Sequence, residues 1–270
     1  MLTADSADRG NTFRVAFLTI MSIFIMGYLN ALALNTYALG TMITPQTGNI
    51  IWLGINAGWG AWGPFFENVG LLFGFMGGAV FALYTQNIFA KKTTQFFWNW
   101  TVFVLPIAIY PILLQYTIAP WIAFILLGFA AGATLGFFRK VYHMEINTSM
   151  ATGNVRFLGL HFANAFLRKG TKGSKTEIAS FWVFFVAVLA FALGAFVYVM
   201  FARIDFALAG DINLTVLGDH PPLQRLSPAI TYGPYHYPVP ADSSNVVRVV
   251  GLLVFCIVPY FFCPKVHPTK

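Results

Sequence analysis

The chain has 270 residues, of which 58% are hydrophobic, 17% aromatic and only 9% charged, with a formal net charge of +7. Soluble domains carry roughly 25% charged residues, so this composition excludes a mostly water-facing globule; 29 Phe and 7 Trp would have nowhere to hide. The positive balance does not indicate nucleic acid either, because Lys and Arg cluster between apolar runs, where the cytoplasmic loops of a membrane protein collect them.

The first twelve residues are polar, and the apolar run after them lacks a small-residue cleavage site, so it reads as a retained span. Runs of about 20 apolar residues predict six spans, over 15–39, 65–90, 96–117, 121–142, 178–201 and 246–262. Pro106 and Pro111 predict a kink in the third. Segments 47–60 and 152–167 are too short and too polar to cross alone and read as re-entrant or interfacial half-helices. The fold class expected is therefore an all-α integral membrane protein with about six transmembrane helices plus two half-helices. It divides into a cytoplasmic tail (1–14), a first repeat (15–117), the first part of a second (118–202), a polar loop (203–245), and a last span with its tail (246–270).

With both termini inside, 13 of the 16 basic residues fall on the cytoplasmic side, leaving Arg203, Arg225 and Arg248 opposite. Making the two weak segments span would move Lys91 and Lys92 outward, against the positive-inside rule. The location expected is the cell inner membrane. The long outer loop holds Pro221, Pro222, Pro228, Pro234, Pro238 and Pro240. It reads as an ordered flap or as a docking surface, with Tyr232, Tyr235, His236 and Tyr237 the candidate partner surface. Asp211 to Thr215 lacks the turn glycine and bidentate glutamate of a calcium loop. Cys256 and Cys263, seven apart, lie near one helix face and cannot easily bridge, and they are too few for a metal site. They read as packing residues, and no cofactor or metal is expected.

An internal repeat appears when residues 105 apart are compared. Gly27 matches Gly132, Phe24 matches Phe129 and Tyr37 matches Tyr142. Thr47-Gly48-Asn49 matches Thr152-Gly153-Asn154, and Leu53-Gly54 matches Leu158-Gly159. Each half reads as span, Thr-Gly-Asn half-helix, span, span. Three true spans per half is odd, so the second half enters inverted, a plan secondary transporters use with broken helices meeting near the midplane.

A Thr at a helix start caps a free amide, Gly permits a tight turn, and the exposed amides with the positive helix end face whatever occupies the midplane. Asn49 and Asn154 add side-chain donors and acceptors. Asn56 and His161, seven residues further on, fall on the same faces. The candidate midplane site is thus Thr47, Gly48, Asn49, Asn56, Thr152, Gly153, Asn154 and His161, joined by Asn30 of the first span. The plainer reading is that each motif only caps and packs a re-entrant turn, since irregular backbone at membrane depth needs polar partners anyway. Asn35, Gln86 and Asn87 read as interhelical glue, and Gly74, Gly77, Gly78, Gly128 and Gly136 as close-packing positions; Gly132 is left open.

Gly27-Tyr28-Leu29-Asn30-Ala31, followed by Thr47-Gly48-Asn49 and Leu53-Gly54, resembles the YoaK family of bacterial membrane proteins over roughly residues 15–202. That family has Asp where this chain has Asn30. Its second half reads Gly-x-Gln-Asn-Ala where this chain has Gly132-Ala133-Thr134-Leu135-Gly136. The resemblance implies fold and location but carries no settled activity.

Two functions are open. One is a permease for a small solute; the other is a non-transporting accessory or structural subunit of a larger membrane complex, contacting partners through the outer loop and aromatic spans. Asn30 in place of Asp weakens the case for proton coupling, and His161 is the one titrating group left in the half-helices. No His-Glu-x-x-His, Gly-x-Ser-x-Gly or filter motif argues for an enzyme or a channel. The partner expected is the lipid bilayer, with no nucleic acid.

Overall fold

The computed structural model describes residues 6–36, 43, 46–88, 92–115, 120–138, 140–141, 144–146, 151–167, 172–208 and 246–262. Every apolar run becomes helix. In chain order the elements are α1 (Ser6–Thr36), α2 (Gln46–Gly58), α3 (Trp62–Ile88), α4 (Lys92–Gln115) and α5 (Pro120–Phe137). A two-stranded ladder follows, β1 (Lys140–Val141) against β2 (Met144–Glu145), then α6 (Ala151–Leu167), α7 (Lys172–Leu208) and α8 (Val246–Ile257). Pro120 opens α5, where its missing N–H costs nothing and its fixed φ suits a first turn. Pro259 has the opposite effect, ending the α-helix at Ile257 and passing the chain into a 3₁₀ segment, Val258–Phe262.

Several expected boundaries are corrected. The helix that carries the first span begins at Ser6, within residues 1–14, and α4 starts at Lys92, before the apolar run proper. The span expected over 121–142 stops at Phe137, and the polar residues after it turn into the short ladder. The helix expected over 178–201 is longer at both ends; α7 takes in Lys175, Glu177 and residues 203–208 of the expected loop, because no Pro interrupts it. α4 runs through Pro106 and Pro111 as one helix, Lys92–Gln115. Among the described residues, three helices are long and apolar enough to cross a membrane: Phe13–Ala33, Trp62–Thr85 and Gly173–Ala202. The other three expected spans are shorter apolar helices: Phe97–Ile109, Trp121–Phe137 and Arg248–Phe261.

Contacts give each helix a direction. Gly70, Gly74 and Gly78 of α3 abut, in that order, Trp121, Ile125 and Phe129 of α5, so the two run parallel. α1 and α7 are parallel as well: Ile23 clusters with Phe184 and Ala187, and further along Tyr28 meets Tyr198 edge-on at 5.3 Å. Ile146, just after β2, packs with Ile23 and against Ala16, so α5 ends where α1 begins. The Trp100 ring, early in α4, meets Phe138 at the end of α5. α8 starts at Tyr28, whose hydroxyl donates to the Arg248 carbonyl (2.7 Å), and ends at Trp100, whose indole donates to the Cys256 carbonyl (2.7 Å). Thus α1, α4 and α7 run one way and α3, α5 and α8 the other. It follows that α2 lies in the connection between α1 and α3 at one end of the bundle, and α6 in the connection between α5 and α7 at the opposite end.

The two parallel seams are built alike. A Cβ on Gly78 would collide with the Phe129 carbonyl oxygen, and one on Gly132 with that of Phe75. On the other seam, a Cβ on Gly194 would collide with the Phe24 carbonyl oxygen, and one on Gly27 with that of Phe191. Gly27 and Gly132, like Phe24 and Phe129, are 105 residues apart, whereas Gly78 and Gly194, like Phe75 and Phe191, are 116 apart. Lipid tails are as apolar as Leu, so such backbone approach, rather than apolar burial alone, holds helices together in a bilayer. Gly132, left open above, is therefore a packing residue. Gly77 is not, since a Cβ there would meet only the edge of the Phe129 ring at 4.0 Å.

Candidate functional site: the two Thr-Gly-Asn helices

α2 and α6 each begin one residue before the motif threonine, at Gln46 and Ala151. Thr47 and Thr152 sit exposed in the first turns, not before them as caps would. The matched asparagines are buried alike: Asn49 and Asn154 are each 1% exposed. Gly48 faces open space, as do Gly54 and Gly159, so these glycines are not packing positions. Gly153 is half-buried.

Both short helices fold back on the helix that follows. α2 turns through Gly60, whose φ of 68° is the left-handed conformation glycine favours, and packs on α3. α6 packs antiparallel on α7. Ser174 Oγ donates to the Ala165 carbonyl (3.4 Å), His161 Nδ1 lies 2.7 Å from Glu177 Oε2, and Phe157 stacks on Phe184 at 5.2 Å. In the same register Asn154 comes level with Val186 and Ala187, the middle of the Gly173–Ala202 span. α2, with 13 residues, is about 20 Å long, two-thirds of a bilayer's hydrocarbon thickness. The two short helices share no extensive packing with each other; each rests on its own long neighbour.

The remaining candidates diverge. Asn56 is buried at 7% exposure, and its carbonyl accepts from Ala61 N–H (2.8 Å) to close the α2–α3 turn. Its match His161 is half-buried, stacked on Phe184 at 5.3 Å and paired with Glu177. Asn30 is buried, and its side-chain amide donates to the Met26 carbonyl one turn back (2.8 Å), which explains why a neutral amide suits this position. Tyr232, Tyr235, His236 and Tyr237 lie outside the described residues, as does Cys263. Cys256 is buried and free, the packing role expected of it.

Sequence reasoning missed three things. Glu177 lies 16 residues from His161, and only the α6–α7 turn brings them together. Arg248, at the start of α8, bridges two helices, its carbonyl held by Tyr28 and its guanidinium donating to the Tyr198 hydroxyl (3.4 Å). Glu67 Oε2, Asn68 Oδ1 and Asn99 Oδ1 are buried with no hydrogen-bond partner among the described residues. No group of three or more His, Cys, Asp or Glu that could hold a metal occurs among the described residues.

A family model described as a protein of unknown function, DUF1275, matches residues 18–210, taking in α1 to α7 and both Thr-Gly-Asn segments. No curated protein and no solved structure matches the chain.

Proposed function

The chain belongs to the DUF1275 family of proteins of unknown function, and we propose that this member is a multi-pass membrane permease for a small solute, not an enzyme. In this reading the halves are inverted repeats. α1, α2, α3 and α4 correspond to α5, α6, α7 and α8, each pair pointing opposite ways. The opposed directions of the long helices and the matched glycine seams support it.

One observation carries the proposal: a short helix enters from each end of the bundle, each starting on Thr-Gly-Asn with a buried asparagine, and α6 starts level with mid-span. In this reading first-turn amides and the positive ends of two helix dipoles face the midplane, where a solute's acceptor oxygens or an anionic group can be held. Arg14, Lys92, Lys140 and Lys175 lie on elements at the end where α1 begins, and by the positive-inside rule that end is cytoplasmic in this reading.

The test uses Thr47→Cys and Thr152→Cys in a background lacking Cys256 and Cys263, in sealed vesicles treated with a membrane-impermeant maleimide. A permease predicts that both positions react, Thr47→Cys from the outer side and Thr152→Cys from the inner. Failure of both to react from either side would refute a water-accessible pathway. Mild extraction with stoichiometric companion subunits would then point to the accessory role.

A further inference from the structure

Beside the α3–α5 seam, α3 carries an apolar groove. One part, of about 530 Å³, is lined by Phe73, Met76, Val80 and Phe129. It continues past Phe81 and Tyr84 into a crevice of about 220 Å³ bounded by Ile88, Trp98 and Phe137. From Phe73 to Ile88 the helix rises about 22 Å, more than the roughly 15 Å of hydrocarbon in one leaflet. The groove therefore accommodates most of one acyl chain.

Polarity is confined to the crevice end. Thr85 Oγ1 donates to the Phe81 and Ala82 carbonyls (3.1 and 3.0 Å) and is satisfied. Asn99 is not: it is only 5% exposed, and its Oδ1 accepts no hydrogen bond among the described residues. A buried acceptor without a donor is costly, and Asn99 is one of the residues that line the crevice, so a donor held there would offset that cost.

The same end is basic. α4 begins at Lys92, seven residues before Asn99, and β1 begins at Lys140, three residues after Phe137. Glu145 stands opposite Lys140 in the ladder. Basic pockets between membrane helices on this side recognise anionic headgroups.

We propose that this groove binds an anionic glycerophospholipid of the inner leaflet whose headgroup carries a free hydroxyl. The acyl chain lies along α3 from Ile88 to Phe73, the hydroxyl donates to Asn99 Oδ1, and the phosphate pairs with Lys92 and Lys140. The inference rests on the membrane reading and is independent of transport.

Native mass spectrometry of the detergent-purified full chain tests it, with dioleoyl phosphatidylglycerol or dioleoyl phosphatidylcholine added in titration. Phosphatidylglycerol is expected to bind at least tenfold more tightly, and the double variant Lys92→Gln, Lys140→Gln to lose that preference. Gly77→Leu points into the groove and meets only the Phe129 ring edge at 4.0 Å. It is expected to fold normally and to retain neither lipid. Equal binding of the two lipids by the unmodified chain, or undiminished phosphatidylglycerol binding by Gly77→Leu, would overturn the proposal.

Discussion

Trp100 is fully buried, and its indole N–H is directed at the Cys256 carbonyl because Pro259 lies three residues beyond it. In the 3₁₀ geometry that follows, this carbonyl would accept from residue 259, and a proline has no N–H to give. The indole replaces it and ties α4 to α8. Trp100→Phe keeps most of the ring packing but leaves the carbonyl unpaired, at a cost of about 1–3 kcal/mol. Thermal unfolding in detergent should show a lower midpoint; an unchanged one would mean that the carbonyl has another donor. A sequence reader sees Trp100 and Cys256 but has no means to connect residues 156 apart. The same holds for His161 and Glu177, which sequence alone left as a lone histidine.

Among the elements, the parallel seams decide the architecture, and glycine decides the seams. A Cβ at Gly27 would force α1 away from the Phe191 carbonyl of α7, whereas Gly54, on α2, faces open space. Gly27→Ala should therefore destabilise the bundle by about 1–3 kcal/mol, while Gly54→Ala should be neutral or stabilise by up to about 1 kcal/mol through helix propensity. Paired thermal melts check this, and equal effects at the two positions would refute the seam. The repeat was legible over α1, α2 and their matches because nothing is inserted between them. The α3 and α7 match escaped a constant spacing of 105, because a longer α6, the link after it and extra residues at the start of α7 together shift the register to 116. Helix ends were the least legible feature: hydropathy marks where apolar side chains stop, but polar turns such as Lys172 to Glu177 continue a helix at little cost.

For the molecule as a whole, sidedness is the property to measure. Lys175 lies early in α7, at the end where α1 begins, and Asp219 belongs to the long segment between α7 and α8. Lys175→Cys should react with an impermeant reagent only in inside-out vesicles, and Asp219→Cys only in right-side-out ones. The reverse pattern would refute the assigned orientation. The amino-acid sequence by itself determined that the chain is helical and apolar, where its six apolar helical runs lie, and that two Thr-Gly-Asn segments are related. Those properties are local, set by composition and by spacing within a single run. Only the tertiary structure decided which long helices pack in parallel, which glycines carry the seams, and that Asn99 is a buried acceptor in an apolar groove. Each of these depends on which side chain meets which across helices far apart in the chain, and in so apolar a sequence many pairings satisfy the same hydropathy pattern.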